Sequence, residues 1–121
     1  MSQLQVDLNV IDIGEDVELM KEEGLLILFN NTVPEDLKTI AIIHDGVFKE
    51  EIISGDEMII NGEVFRIIHV GEKANETLSQ LGHATFNFEG ETEFDMPGTV
   101  YLEKKAIPRI ELGSTISFNR I

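Results

Sequence analysis

Apolar and polar residues alternate along several short stretches of this chain, which is the pattern of β-strands that bury one face. The first stretch places apolar side chains at every second position from Leu4 to Val10 and ends near Gly14. A later apolar run over residues 25–29 is continuous, which favours a strand buried on both faces. Together the patterns predict about nine short strands, over residues 4–10, 25–29, 40–44, 47–53, 58–60, 63–70, 84–88, 99–102 and 115–118, with a further short stretch at 94–96.

Two Xaa-Gly pairs lie between β-favouring runs and predict tight hairpins. One is Asp45-Gly46 and the other is Asn61-Gly62. Glycine adopts positive φ freely, and Asp or Asn tolerates it, so such pairs fit two-residue turns. The first hairpin would make His44 the last residue of its incoming strand, with the imidazole held by the ladder and presented to solvent.

One segment has a convincing helical pattern. Asn75 is a suitable N-cap, Leu78 and Leu81 share one face, and Gly82 can end the helix in the left-handed conformation. A second, single helical turn is expected over residues 34–37, while the acidic residues 15–23 are expected to form a loop. The chain is therefore predicted to be one all-β domain over residues 1–121, a barrel-like antiparallel fold of about nine strands with one short helix.

The net charge of the chain limits the kinds of partner that it is expected to bind. The chain carries 9 basic and 23 acidic side chains, for a formal net charge of −14. Such a surface repels phosphate backbones, which argues against nucleic-acid binding. The acids are scattered along the chain, so they fit either plain solubility or the steering of a basic protein partner.

Composition excludes several chemistries. There is no cysteine, so disulfides, thiolate metal sites and cysteine nucleophiles are excluded. The three histidines lack metal-ligand spacing, and no metal or other cofactor is expected. The amino end lacks a signal-peptide pattern and no segment approaches the ~18 apolar residues of a membrane span. We expect a cytoplasmic protein without direct membrane insertion.

Three motifs in the second half of the chain, in this order and spacing, carry a family resemblance. They are Leu81-Gly82-His83-Ala84-Thr85, Phe88-Glu89-Gly90 and Pro97-Gly98-Thr99-Val100. The chain resembles the glucitol/sorbitol-specific enzyme IIA component of the bacterial sugar phosphotransferase system. The match extends over essentially the whole chain, through Ile13-Gly14, Pro34-Glu35-Asp36-Leu37, Ile43-His44 and residues 113–118.

The resemblance implies a phosphoryl carrier. In that family a histidine at the end of an apolar strand accepts the phosphoryl group from the carrier protein HPr. It then passes the group to a cysteine of the IIB component, and the membrane component IIC imports the polyol as it is phosphorylated. The matching position here is His44, with Nε2 as the implied nitrogen. The family loop after this histidine can be one residue longer and hold a second histidine, where this chain has Asp45-Gly46.

Other residues are candidates for contact with the phosphoryl group. Lys49 would lie diagonally opposite His44 in the predicted hairpin, and the amides of Asp45 and Gly46 are natural anion donors. The alternative for Lys49 is a solvated edge charge. His83 follows a helix end, where the dipole favours a protonated ring that could stabilise phosphate; alternatively it closes the helix end through a free carbonyl.

The surface around the predicted hairpin suggests how partners bind. Ile42, Val47 and Phe48 would form a dry patch with an acidic rim, suited to HPr and to the IIB and IIC components. Exposed sheet edges make a homodimer plausible. Two other classes stay open: a β-barrel module that binds a small molecule without covalent chemistry, and a non-catalytic acidic interaction protein. The transported sugar is inferred only from the family label.

Overall fold

The computed structural model describes residues 5–90 and 96–120, and the fold below refers to these residues. They form eight strands, two α-helices and one short 3₁₀ helix. In chain order these are β1 (Gln5–Ile13), α1 (Val17–Glu22), β2 (Leu25–Phe29), the 3₁₀ helix (Glu35–Ile40), β3 (Ile42–His44), β4 (Glu57–Ile60), β5 (Glu63–Val70), α2 (Ala74–Leu81), β6 (Ala84–Asn87), β7 (Thr99–Leu102) and β8 (Thr115–Asn119).

The strands close into a barrel in the order β1-β3-β2-β6-β7-β5-β4-β8. The predicted all-β barrel is confirmed, although two of its strand pairs, β2–β3 and β6–β7, are parallel. Residues 30–41 connect β2 to β3, which is the length of crossover that parallel pairing requires. Closure leaves no open sheet edge among the described strands, so the edge argument for a homodimer loses its basis.

The barrel interior is filled by apolar side chains. Burial alternates along β4 and β6, so each of these strands turns one face to the core. Each fully buried large side chain contributes roughly 1.5–3 kcal/mol by leaving water. The largest of them are aromatic and aliphatic: Phe65, Phe86, Phe88, Phe118, Leu8, Leu26, Leu28, Ile42, Ile52, Met58 and Ile60.

One of the two predicted hairpins is confirmed. β4 and β5 pair antiparallel with Ile60 opposite Glu63. The two residues between them have positive φ, 49° at Asn61 and 87° at Gly62. This is the backbone that an Asn-Gly hairpin turn needs.

The hairpin predicted at Asp45-Gly46 is wrong. Gly46 is not among the residues with positive φ, and residues 45–56 form no strand. The physical reason is that β3 already pairs with β1 on one side and β2 on the other, which leaves no edge for a return strand. Gly46 instead permits close packing, because a Cβ built there would overlap the Leu8 side chain.

Side chains from distant parts of the chain hold this irregular segment in place. The Asn75 amide accepts a hydrogen bond from Ile52 N and donates one to Ile52 O, each at 2.9 Å. The buried carboxylate of Asp56 accepts from Ile53 N at 2.8 Å and from Arg120 Nε at 2.9 Å. The segment therefore has a defined path without belonging to the sheet.

The helices differ from expectation in three places. Asn75 lies inside α2 and makes no N-cap bond, since its amide is used on Ile52. Residues 17–22 form α1 where a loop was expected, and the turn expected at 34–37 is part of the 3₁₀ helix. Gly82 ends α2 in the left-handed conformation, as predicted, with φ 59°. Within residues 5–90 and 96–120, no helix is long and apolar enough to cross a membrane; the stretch at 94–96 lies mostly outside the described residues.

Candidate functional site

His44 is the last residue of β3, opposite Val10 of β1, and its side chain is 0% exposed. Its Nδ1 accepts a hydrogen bond from Gly46 N at 3.0 Å, and its Nε2 lies 2.8 Å from Gly82 O. An amide can only donate and a carbonyl can only accept, so the ring is a neutral imidazole with its proton on Nε2. The expectation of a solvent-facing ring is therefore wrong: both ring nitrogens are engaged.

Burial keeps this imidazole neutral. Desolvation lowers the pKa of His44 below 6.5, and it outweighs the hydrogen bond to the Gly82 carbonyl and the charge of Asp45, which both raise the pKa. Phe48 packs edge-on against the ring, with centroids 6.1 Å apart and planes at 77°. In this tautomer the ring lone pair is on Nδ1, so Nε2 can act as a nucleophile only once its proton leaves.

Gly82 covers the His44 ring. It follows α2, where Gly82 N donates to Leu78 O at 3.0 Å and His83 N donates to Thr77 O at 3.2 Å. The Gly82 bond is that of the αL C-cap motif, and the His83 bond ties the next residue to α2 as well. A Cβ built on Gly82 would lie 2.7 Å from His44 Cε1 and 2.8 Å from Nε2, closer than side-chain atoms approach. Only glycine therefore fits between α2 and the imidazole.

Several residues next to His44 and Gly82 in the chain are exposed, although the ring itself is covered. Asp45 directly follows it and is exposed, Val47 is 66% exposed, and Leu81 next to Gly82 is 36% exposed. Ile42 and Phe48 are buried, so the predicted dry patch of three side chains is wrong and only Val47 of that set reaches solvent.

The other residues predicted near His44 have their own partners. The Asp45 carboxylate accepts from Asn9 N at 2.9 Å, which lowers the pKa of Asp45. The Asp45 amide donates to Asn9 O, and the Gly46 amide donates to His44 itself. Neither amide is free to hold a phosphate in this form. Without the hairpin, Lys49 is not opposite His44 but lines a neighbouring cleft.

His83 is half-buried beside the same turn. Its ring stacks on Phe29, with centroids 4.2 Å apart and planes at 20°, and its Nδ1 donates to Leu28 O at 3.0 Å. That carbonyl belongs to β2, so His83 does not close the helix end as the alternative expected. In the neutral ring Nε2 then carries a lone pair, and it has no hydrogen-bond partner in the part of the chain that the structure describes.

A cleft of about 570 Å³ lies between residues 48–54, the end of β5 and α2. Phe48 lines it and also packs against His44, so the Phe48 ring lies between the cleft and the imidazole. Its charged lining is one cation and four acids: Lys49, Glu50, Glu51, Glu72 and Glu76. Sequence reasoning missed this cleft because its walls come from three separate segments.

The third histidine, His69, lies in the β5–β7 pair with its ring against that of Tyr101, their centroids 5.8 Å apart, and it also lines the cleft. Among the described residues, no group of three His, Asp or Glu side chains is placed to hold a metal ion.

Comparison with known proteins identifies the family. The model of the family described as "PTS system glucitol/sorbitol-specific IIA component" matches residues 5–117. Two relatives bear the name "PTS system glucitol/sorbitol-specific EIIA component". The Shigella flexneri protein is 29% identical over 110 residues, spanning 90% of this chain and 89% of the relative. The Escherichia coli K12 protein is 31% identical over 100 residues, spanning 82% of this chain and 81% of the relative.

A solved structure agrees with both. The crystal structure of the PTS system IIA component from Enterococcus faecalis V583 superposes with a TM-score of 0.79 at 28% identity, covering 91% of this chain and 96% of that one. The barrel and its family matches define the class as a phosphoryl carrier of the phosphotransferase system. The chain belongs to the glucitol/sorbitol-specific IIA family of that system, which confirms the predicted resemblance.

Proposed function

We propose that the protein accepts a phosphoryl group from HPr on Nε2 of His44, in the cytoplasm, and passes it to a IIB component. That component would phosphorylate glucitol or a related polyol as the IIC component imports it. The observation that carries the proposal is the His44 imidazole at the end of β3, neutral and fixed at Nδ1 by the Gly46 amide, in a chain of this family.

The transfer step balances without any further group. The proton leaves Nε2 of His44 as Nε2 bonds to phosphorus, the bond from phosphorus to the donor's histidine nitrogen breaks, and the proton ends on that donor nitrogen. Nδ1 keeps its lone pair throughout, so the Gly46 amide satisfies it before and after transfer. Positioning and charge stabilisation provide most of the catalysis in such a reaction.

Electrostatics favour a basic donor surface. The net charge of −14 and the four glutamates of the cleft attract a cationic face toward the cleft, whose Phe48 also packs against His44. His83 is a candidate to contact the transferred phosphoryl oxygens, since its backbone adjoins Gly82 and its Nε2 is unengaged among the described residues; Nε2 would donate to those oxygens in the protonated ring. Lys49, in the cleft, is a second candidate.

The barrel-type binding module is the weaker candidate. Its ligand would sit inside the barrel, and the barrel interior here is packed with phenylalanine and aliphatic side chains. The neighbouring cleft is open and acidic rather than an enclosed apolar cavity.

Phosphorylation by phosphoenolpyruvate, enzyme I and HPr tests the proposal. The wild-type protein should gain one acid-labile, base-stable phosphate, and His44→Gln should gain none. His83→Gln is the matched control and should keep the label, with a slower rate if His83 contacts the phosphoryl group. Label lost in His83→Gln but kept in His44→Gln would reverse the assignment.

A further inference from the structure

We propose that the Gly82 peptide is a phosphorylation-sensitive latch on His44, an inference that rests on the function proposed above. In the resting protein the Gly82 carbonyl is a positioning group that holds Nε2. The Gly82 carbonyl moves away from Nε2 so that transfer can occur, and it stays displaced while the phosphoryl group is present. The turn at the end of α2 would thus differ between the two states of the carrier.

The resting geometry blocks the reaction at Nε2. The nitrogen carries a proton directed at Gly82 O, 2.8 Å away, and the side chain is 0% exposed. A hydrogen-bond acceptor lies along the N–H direction, which is also the direction in which an N–P bond would form. A phosphoryl group on Nε2 would therefore occupy the space that the Gly82 carbonyl holds. The carbonyl has to move before a donor reaches the ring.

The carbonyl cannot return after transfer. Phosphorylated Nε2 has no proton to donate, and both the phosphoryl oxygens and the carbonyl oxygen are acceptors. The opposite nitrogen is unaffected, because Nδ1 still accepts from the Gly46 amide. Phosphorylation therefore breaks one of the two bonds that hold the ring and keeps the other.

A displacement of Gly82 would also shift neighbouring residues at the protein surface. The Gly82 and His83 amides tie the turn to Leu78 O and Thr77 O, and the Leu81 carbonyl accepts from Asn30 N at 2.9 Å. Leu81, next to Gly82, and Val47, three residues after His44, are both exposed. HPr, the phosphoryl donor, would thus bind a protein in which Gly82 covers His44. The IIB component, the phosphoryl acceptor, would bind one in which Gly82 is displaced.

Amide hydrogen exchange of the whole protein, before and after phosphorylation by phosphoenolpyruvate, enzyme I and HPr, tests the latch. The Gly82 and His83 amides should exchange faster by at least about tenfold in the phosphorylated protein. Two amides serve as internal controls. Gly46 is next to the new charge but keeps its bond, and Asn61 donates to Thr115 O in the β4–β5 turn; both should keep their rates.

The outcomes separate the two proposals. A fully phosphorylated His44 with unchanged exchange at Gly82 and His83 overturns the latch and leaves the carrier function standing. Equal acceleration at Gly46 also overturns it, because charge alone would then explain the effect. Absence of phosphate from His44 overturns the proposed site and the latch with it.

Discussion

Gly82→Ala should destabilise the protein more than Gly62→Ala, although both glycines have positive φ. The angles are 59° at Gly82 and 87° at Gly62. A Cβ at Gly62 meets nothing within 4 Å, whereas one at Gly82 lies 2.7 Å from His44 Cε1 and 2.8 Å from Nε2. The two variants thus share a backbone penalty and differ in the contact with the imidazole.

The difference follows from these distances. An alanine in the left-handed conformation costs roughly 1–2 kcal/mol, which is all that Gly62→Ala should lose. At Gly82, carbon atoms settle at about 3.5–4.0 Å, so the peptide and the ring must separate by roughly 1 Å. The 2.8 Å bond from Nε2 to Gly82 O then breaks. Leaving those buried groups unpaired adds about 1–3 kcal/mol, for a total of roughly 2–5 kcal/mol.

Urea unfolding near neutral pH measures both variants against the wild type. Ring nitrogen NMR should also show the His44 imidazole losing its fixed tautomer in Gly82→Ala and keeping it in Gly62→Ala. Equal losses of stability, with an unchanged His44 tautomer in both variants, would contradict this prediction, since the Gly82 contact would then contribute nothing.

Three further predictions concern pH, the irregular segment and salt. Since the pKa of His44 is lowered in the folded protein, the unfolded chain binds more protons below about pH 6.5. Stability should therefore fall as the pH drops from about 6.5 toward the folded pKa, and His44→Gln should unfold in urea with a smaller loss over that range. Asp56→Asn weakens the bonds to Ile53 N and Arg120 and should reduce the free energy of unfolding by about 2 kcal/mol, with Asp7→Asn, on the exposed face of β1, unchanged in the same thermal melts. Raising NaCl from about 50 to about 500 mM should slow transfer from HPr at least about threefold, because the attraction is screened; an unchanged rate contradicts steering.

Patterns formed by residues adjacent in the chain predicted much of the fold. Alternation located most of the strands, Asn61-Gly62 specified its hairpin, and Gly82 ended its helix, because each depends on residues adjacent in the chain. The Asp45-Gly46 hairpin failed because pairing is decided by the sheet: β3 has β1 and β2 as neighbours. The first helix was missed because Val17 is its one buried residue, which leaves little apolar pattern.

The candidate site, like the fold, could be predicted from the sequence only in part. The position of His44 at a strand end could be predicted from the apolar residues before it and from the family motifs. Its burial could not, because the covering group is the Gly82 carbonyl, 38 residues away in sequence. The acidic cleft depends on Asn75 holding Ile52, another pairing between distant residues.

The central claim is that His44 carries the phosphoryl group. The most direct measurement is NMR of the phosphorylated, ¹⁵N-labelled protein under basic conditions, where phosphohistidine is stable, with phosphorus–nitrogen coupling assigning the modified atom. One coupled nitrogen is expected, Nε2 of His44, with the rings of His69 and His83 unmodified. Coupling at His83, or no phosphohistidine at all, would contradict it.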